Sequence, residues 1–142
     1  AGVGKLLKEK NKNIQIYLSD PKGSALYNYI RFNNLKIEGS SITEGIGSSR
    51  ITNNFKEAPI DGAYSIDDTE AIPIIFKLIK EEGLNLGTSS GINIAGAIRL
   101  GKEIGPGKTI VTILCDLADR YKSKLFNKDL LKEKNIPIPN WL

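Results

Sequence analysis

The chain has 142 residues, of which 40% are hydrophobic; that suffices for one domain with a real core, and no apolar run reaches the roughly 18 residues of a membrane span. It contains no histidine, which excludes Ser-His-Asp and Cys-His catalysis and the common histidine-based zinc sites, so no metal centre is expected. The net charge of +4 gathers in lysines near the two ends, from Lys5 to Lys12 and from Lys122 to Lys134, without interleaved stacking aromatics, so neither nucleic acid nor membrane is an expected partner.

Val3, Leu6 and Leu7 share a side with lysines opposite, and predict the back half of an amphipathic helix over 3–10. The start shows no charged leader before an apolar run, and the single Cys115 cannot close an internal disulfide, so a cytoplasmic address is expected. Ile14 to Leu18 alternates and reads as a strand that ends at a turn, Ser19-Asp20-Pro21-Lys22-Gly23. Ser24 to Phe32 reads as a short helix. Asn33 to Asp61 is rich in Gly, Ser, Asn and Thr and too long for an ordinary connection, which suggests a binding or dimer-contact segment. Within it, the two glycines of Gly45-Ile46-Gly47 allow backbone to approach a ligand, or simply kink a loop.

Ala63 to Ile66 is a short strand candidate, and Asp67 with Glu70 has the form of a capping box before a helix over 71–82, with Ile72, Ile75, Phe76 and Ile79 on one face. Pro73 lies late for a first-turn proline, so the helix either starts later or is kinked there. Gly83 ends it. Leu84-Asn85-Leu86 is a strand candidate, and Gly87-Thr88-Ser89-Ser90-Gly91 a tight turn opening a helix that Ser89 or Ser90 caps. Such a turn presents unpaired amides at the positive end of the helix dipole, suited to an anion or to placing a hydroxyl on a polar ring atom. After Gly105-Pro106-Gly107, Thr109 to Leu114 is near-continuously apolar and predicts a strand buried on both faces of a parallel sheet. Asp116 to Tyr121 is the loop at its end, 129–133 a short helix, and Ile136 to Leu142 an extended tail.

Ser19-Asp20-Pro21 with Gly23-Ser24, Glu44-Gly45-Ile46-Gly47, Ala58-Pro59-Ile60-Asp61, Gly87 to Asn93, Thr109 to Asp116, Arg120-Tyr121, Ser123 to Asn127 and Trp141-Leu142 stand in the order and spacing of the cysteine synthase (O-acetylserine sulfhydrylase) family, with the cystathionine β-synthase branch beside it. The chain resembles the C-terminal portion of that family's larger domain. The resemblance implies an α/β fold, the large three-layer domain of the two-domain tryptophan synthase β-like fold, with a mostly parallel sheet and helices on both faces; residues 1–142 are expected to be an incomplete part of that one domain.

The resemblance also implies pyridoxal 5'-phosphate as cofactor. It implies synthesis of cysteine from O-acetylserine and sulfide by β-replacement through an aminoacrylate, with the serine-plus-homocysteine reaction as the alternative within enzymes. Ser89 matches the serine at the pyridine nitrogen, where a neutral hydroxyl leaves the ring a milder electron sink than a carboxylate would. Gly45 matches a backbone position beside the substrate, and Asp116, with Arg120 and Tyr121, a loop near the ring. The lysine that anchors the cofactor and the loop that wraps its phosphate are expected outside this chain, so no catalytic residue is assigned within it. A homodimer is expected, and a tail of serine acetyltransferase is a possible partner; a chain retained only for that interaction is the alternative outside catalysis. Leu117-Ala118 replaces the family's Ser-Gly pair, and Ser49 stands where a glycine is usual. Cys115 is expected to be a buried thiol rather than a nucleophile.

Overall fold

The computed structural model describes all 142 residues. Its centre is a parallel pair of strands, β1 (Tyr17–Pro21) and β2 (Gly62–Ile66), registered from Tyr17 opposite Gly62 to Pro21 opposite Ile66. Gly62 is required there: a Cβ would lie 2.5 Å from the Tyr17 ring, which instead stacks on Tyr64 with centroids 5.7 Å apart. β1 starts later than the expected Ile14, and Ser19-Asp20-Pro21 belongs to the strand rather than to a turn. The reason is pairing: those three residues face Tyr64, Ser65 and Ile66, and Pro21 closes the strand, where its missing N–H costs least.

Successive strand residues point to opposite faces, and both faces carry helices. Ser19 meets α5 (Thr88–Ile104) at Gly96, while Asp20 on the other side accepts a hydrogen bond from the Tyr27 N–H of α2 (Leu26–Phe32) at 2.8 Å. α1 (Gly2–Lys10) precedes β1 and packs through Gly4 against Pro59 and Ile16. The fold is therefore α/β with a parallel sheet between helices.

α4 (Asp68–Glu82) is capped by Asp67, as the sequence indicates, the carboxylate accepting from Thr69 N at 2.9 Å, and it stops at Gly83 in the left-handed conformation. It begins early and runs through Pro73, giving up the bond a backbone N–H would make there. Glu70 does not complete a capping box, because Arg99 of α5 takes both its oxygens as a forked ion pair. Ile72, Ile75 and Phe76 are buried as expected, in a core with Leu86, Ala118, Tyr121, Leu125, Leu131 and Ile136. Leu125 and Leu131 come from two short helices, α6 (Lys122–Leu125) and α7 (Lys128–Glu133), and the tail returns to set Trp141 edge-on against Phe76.

Residues 33–61 hold one short helix, α3 (Asn53–Lys56), and otherwise run as loop. They are pinned at three points: buried Asp68 accepts from Ser41 Oγ at 2.6 Å and Ile42 N at 2.7 Å, Ser24 and Ala25 bond Ser48, and Asp61 takes Ile16 N at 2.6 Å.

Three expectations are corrected here. Leu84–Leu86 is not a strand; only Leu86 pairs, as an antiparallel bridge to Leu117. Thr109–Leu114 is not a buried strand: it is extended but enters no backbone–backbone hydrogen bond, and Val111 is 83% exposed. An apolar run becomes a buried strand only with neighbours on both edges, and this chain places none beside it. Cys115, at the end of that run, is consequently exposed rather than buried.

Candidate functional site

The Gly87–Gly91 turn does open a helix, but its N-cap is Gly87, which has no side chain to bond the first amides. The serines lie inside the first turn, buried. Ser90 Oγ is committed elsewhere, accepting the Cys115 N–H at 2.9 Å. Ser89 is 5% exposed, and Thr88, fully buried, leaves its Oγ1 without a hydrogen-bond partner. A helix start with no side-chain cap and an orphaned hydroxyl presents donors to a ligand instead of consuming them within the protein.

Small residues set the position of this turn. A Cβ on Gly91 would stand 2.6 Å from the Ala71 carbonyl oxygen of α4, and one on Gly96 would overlap Ser19. α5 thus lies close against both α4 and β1, and its N-terminus is fixed to the sheet at the carboxyl end of β1, the edge at which open α/β sheets hold ligands.

Asp116 is held beside the turn by three interactions. Its carbonyl oxygen accepts the Gly87 N–H at 2.7 Å, Oδ2 accepts the Tyr121 hydroxyl at 2.5 Å, and Arg120 stands 3.8 Å from the same oxygen. Its Oδ1, buried and without a hydrogen-bond partner, occupies the space that a Cβ on Gly87 would fill. The bond to the Asp116 carboxylate, helped by burial, pushes the Tyr121 phenol above its ordinary pKa.

Gly45 comes to the same place. Its φ of +76° is one that L side chains rarely adopt, and a Cβ there would lie 3.8 Å from the Tyr121 hydroxyl. The neighbouring Glu44 is tied to Lys124 of α6, which fastens the loop on that side. Gly47, at φ +82°, fits against Ser24 and Pro21. The structure therefore gathers Gly45 and Asp116 around Tyr121, and sets Ser89 two residues beyond the glycine that holds Asp116.

Tyr121 and Thr88 are the residues that sequence reasoning undervalued. Tyr121 was readable only as one member of a motif, since its place between Gly45 and Asp116 depends on a contact across 76 residues. Thr88 gave no signal of its own. Of the substitutions noted in sequence, Ala118 is buried and donates its N–H to the Asn85 carbonyl at 3.1 Å, whereas Leu117 is exposed.

The family profile described as "Pyridoxal-phosphate dependent enzyme" matches residues 1–116. The cysteine synthase of Dictyostelium discoideum is 39% identical over 97% of this chain and 39% of its own length. Cysteine synthase 1 of Neurospora crassa is 42% identical over 96% of this chain and 38% of its own. Among solved structures, the O-acetylserine dependent cystathionine beta-synthase from Helicobacter pylori superposes with a TM-score of 0.75 at 34% identity, covering 87% of this chain and 38% of that one. The chain thus spans about two fifths of the length of these relatives. An uncapped helix start with a buried hydroxyl turn, the orphaned Thr88 Oγ1 and Asp116 Oδ1, and a glycine loop facing them fit a polar aromatic cofactor of this kind, and with the match over residues 1–116 they place the chain in the pyridoxal-phosphate dependent enzyme family.

Proposed function

We propose that this chain is part of a cysteine synthase, which makes cysteine from O-acetylserine and sulfide, and that residues 1–142 form an incomplete portion of its pyridoxal-phosphate-binding domain. The observation that carries the reading is the α5 N-terminus, with Ser89 in a first turn that no side chain caps. Pyridoxal phosphate, when bound, supplies the electron sink through which a β-substituent leaves and a nucleophile is added. Ser89 offers its hydroxyl to the ring nitrogen; a neutral partner leaves that nitrogen without a full charge and so tempers the sink. The Gly45 loop offers backbone, with no side chain to exclude substrate. Asp116, fixed by Tyr121 and the Gly87 N–H, holds the turn and the loop in one arrangement.

The test is a hybrid in which these 142 residues replace the matching part of the Dictyostelium enzyme. Cysteine formation from O-acetylserine and sulfide is expected. Cystathionine formation with homocysteine as the preferred acceptor would move the assignment to the second branch, to which the Helicobacter pylori relative belongs. The same reading includes a homodimer in the cytoplasm and a serine acetyltransferase tail as partner. It also assigns no cofactor-anchoring role to any of the lysines here. Borohydride trapping of pyridoxal phosphate on the isolated chain should therefore mark scattered lysines without turnover. A single stoichiometric site with turnover would reverse that part.

A further inference from the structure

The start of α4 carries three carboxylates, and each has a different task. Asp67 caps the helix, and Glu70 takes Arg99 of α5. Asp68 does neither. Only 6% exposed, it accepts Ser41 Oγ at 2.6 Å, Ile42 N at 2.7 Å and Thr43 Oγ1 at 3.3 Å. The Ser41 hydroxyl in turn accepts the Thr43 N–H at 2.9 Å, so three successive residues close on one buried carboxylate.

The helix does not require this arrangement. Asp67 already fills the cap, and an exposed carboxylate at the first helical position would meet the dipole as well. Burying it is unfavourable unless hydrogen bonds replace the lost water. What the burial achieves is to attach residues 41–43 to α4, two positions ahead of Gly45. Gly45 enters no hydrogen bond of its own, so its place is inherited from the anchors on either side. Asp68 is the anchor before it. After it, Gly47 is seated on Ser24 and Pro21, and the Ser48 N–H donates to Ser24 Oγ at 2.9 Å. Ala71, three residues along α4 from Asp68, carries the carbonyl oxygen against which Gly91 packs. One turn of α4 therefore seats both the Gly45 loop and the start of α5.

We propose that Asp68 is a positioning residue of the candidate site. Through Ser41, Ile42 and Thr43 it sets the Gly45 backbone relative to the Ser89 turn, and thereby the binding of the amino-acid substrate, without touching substrate itself. The clamp stands on hydrogen bonds of this chain; its effect on substrate rests on the proposed reaction.

The clamp is tested on the full 142-residue chain with a glutamate-specific protease. Its target, the Glu44–Gly45 bond, lies inside the held loop and is cut in proportion to how often that loop detaches. Asp68→Ala is expected to speed cleavage there about tenfold, the worth of one buried hydrogen bond, with cleavage after Glu133 unchanged. Asp68→Asn should return the rate to within about threefold of wild type, because its amide oxygen still accepts Ile42 N and the two hydroxyls can accept as well as donate. Ser41→Ala with Thr43→Val, which leaves α4 its carboxylate, is the second route should Asp68→Ala fail to fold. That pair should speed cleavage similarly, and adding it to Asp68→Ala should bring little more. In the hybrid enzyme the pair is expected to raise KM for O-acetylserine about tenfold, with kcat and the absorbance of the resting cofactor little changed.

Unchanged cleavage at Glu44 in Asp68→Ala, or an equal rise after Glu133, would overturn the clamp. So would effects of Asp68→Ala and of the loop-side pair that simply add. Faster cleavage at Glu44 with KM for O-acetylserine unchanged would overturn the role at the site. A hybrid that makes no cysteine even with the wild-type loop counts against the proposed reaction, and the protease result then decides the clamp alone.

Discussion

Ser89 and Asp20 are both buried polar residues, and the proposed function gives them different tasks. In the hybrid enzyme, Ser89→Ala is expected to lower kcat about tenfold, the worth of one hydrogen bond of ~1.4 kcal/mol, with the fold retained. Ser89→Asp should lower it further, because a carboxylate favours a protonated ring nitrogen. Steady-state kinetics with cofactor absorbance checks both, and unchanged kinetics would remove Ser89 from the ring. Asp20 is structural: it is 1% exposed, Oδ2 accepts Tyr27 N, and Oδ1 has no partner. Burial raises its pKa above the ordinary 3.8, against the lowering effect of the bond from the Tyr27 N–H. A carboxyl with a raised folded pKa contributes its full stability below the unfolded value and loses it as pH rises through the folded one. Asp20→Asn should therefore stabilise the chain relative to wild type at pH 7 and lose that advantage near pH 3.5, as read by thermal melts at the two values. An advantage independent of pH would show that charge is not the cause.

At the scale of elements, the fold depends on two close approaches of α5. Gly96→Ala forces a methyl into Ser19 and is expected to cost roughly 1–3 kcal/mol. Ser19→Gly in the same chain should recover most of that loss, because the obstruction is the side chain of Ser19; denaturant melts of the two single variants and the double variant measure the coupling. Gly91→Ala meets the Ala71 carbonyl instead. Backbone cannot step aside as a side chain can, so no single substitution on α4 should rescue it. If Ser19→Gly fails to rescue Gly96→Ala, the contact between α5 and β1 is not what positions the Ser89 turn.

At the scale of the molecule, the exposed 109–114 run is the dominant liability. Val111 at 83% and Ile113 at 66% exposure leave apolar surface on a run without a strand partner, and β1 has an unpaired edge, a combination that promotes association. The isolated chain is expected to self-associate at micromolar concentration, and Val111→Lys with Ile113→Lys to return it toward monomer in sedimentation velocity without lowering the melting temperature. Both residues project into solvent, so their replacement removes stickiness and not core. A monomeric wild-type chain would show that the run is protected in solution.

Local chemistry alone determined much of this protein. Asp67, Gly83 and the apolar face of Ile72, Ile75 and Phe76 defined α4, because a cap, a left-handed stop and a 3.6-residue period act within a few residues of chain. The Gly87–Gly91 turn and the order of the motifs around it pointed to the family for the same reason. Pairing and orphaned atoms were decided only in three dimensions. Ser90 rather than Ser89 is spent on Cys115, Glu70 leaves its cap for Arg99, and Gly45 meets Tyr121, each through a partner 25 or more residues away. Thr109–Leu114 makes the distinction sharpest: its composition specifies a strand, but a strand is a relation between two stretches of backbone, and the partner for this one is not among the residues that fold beside it.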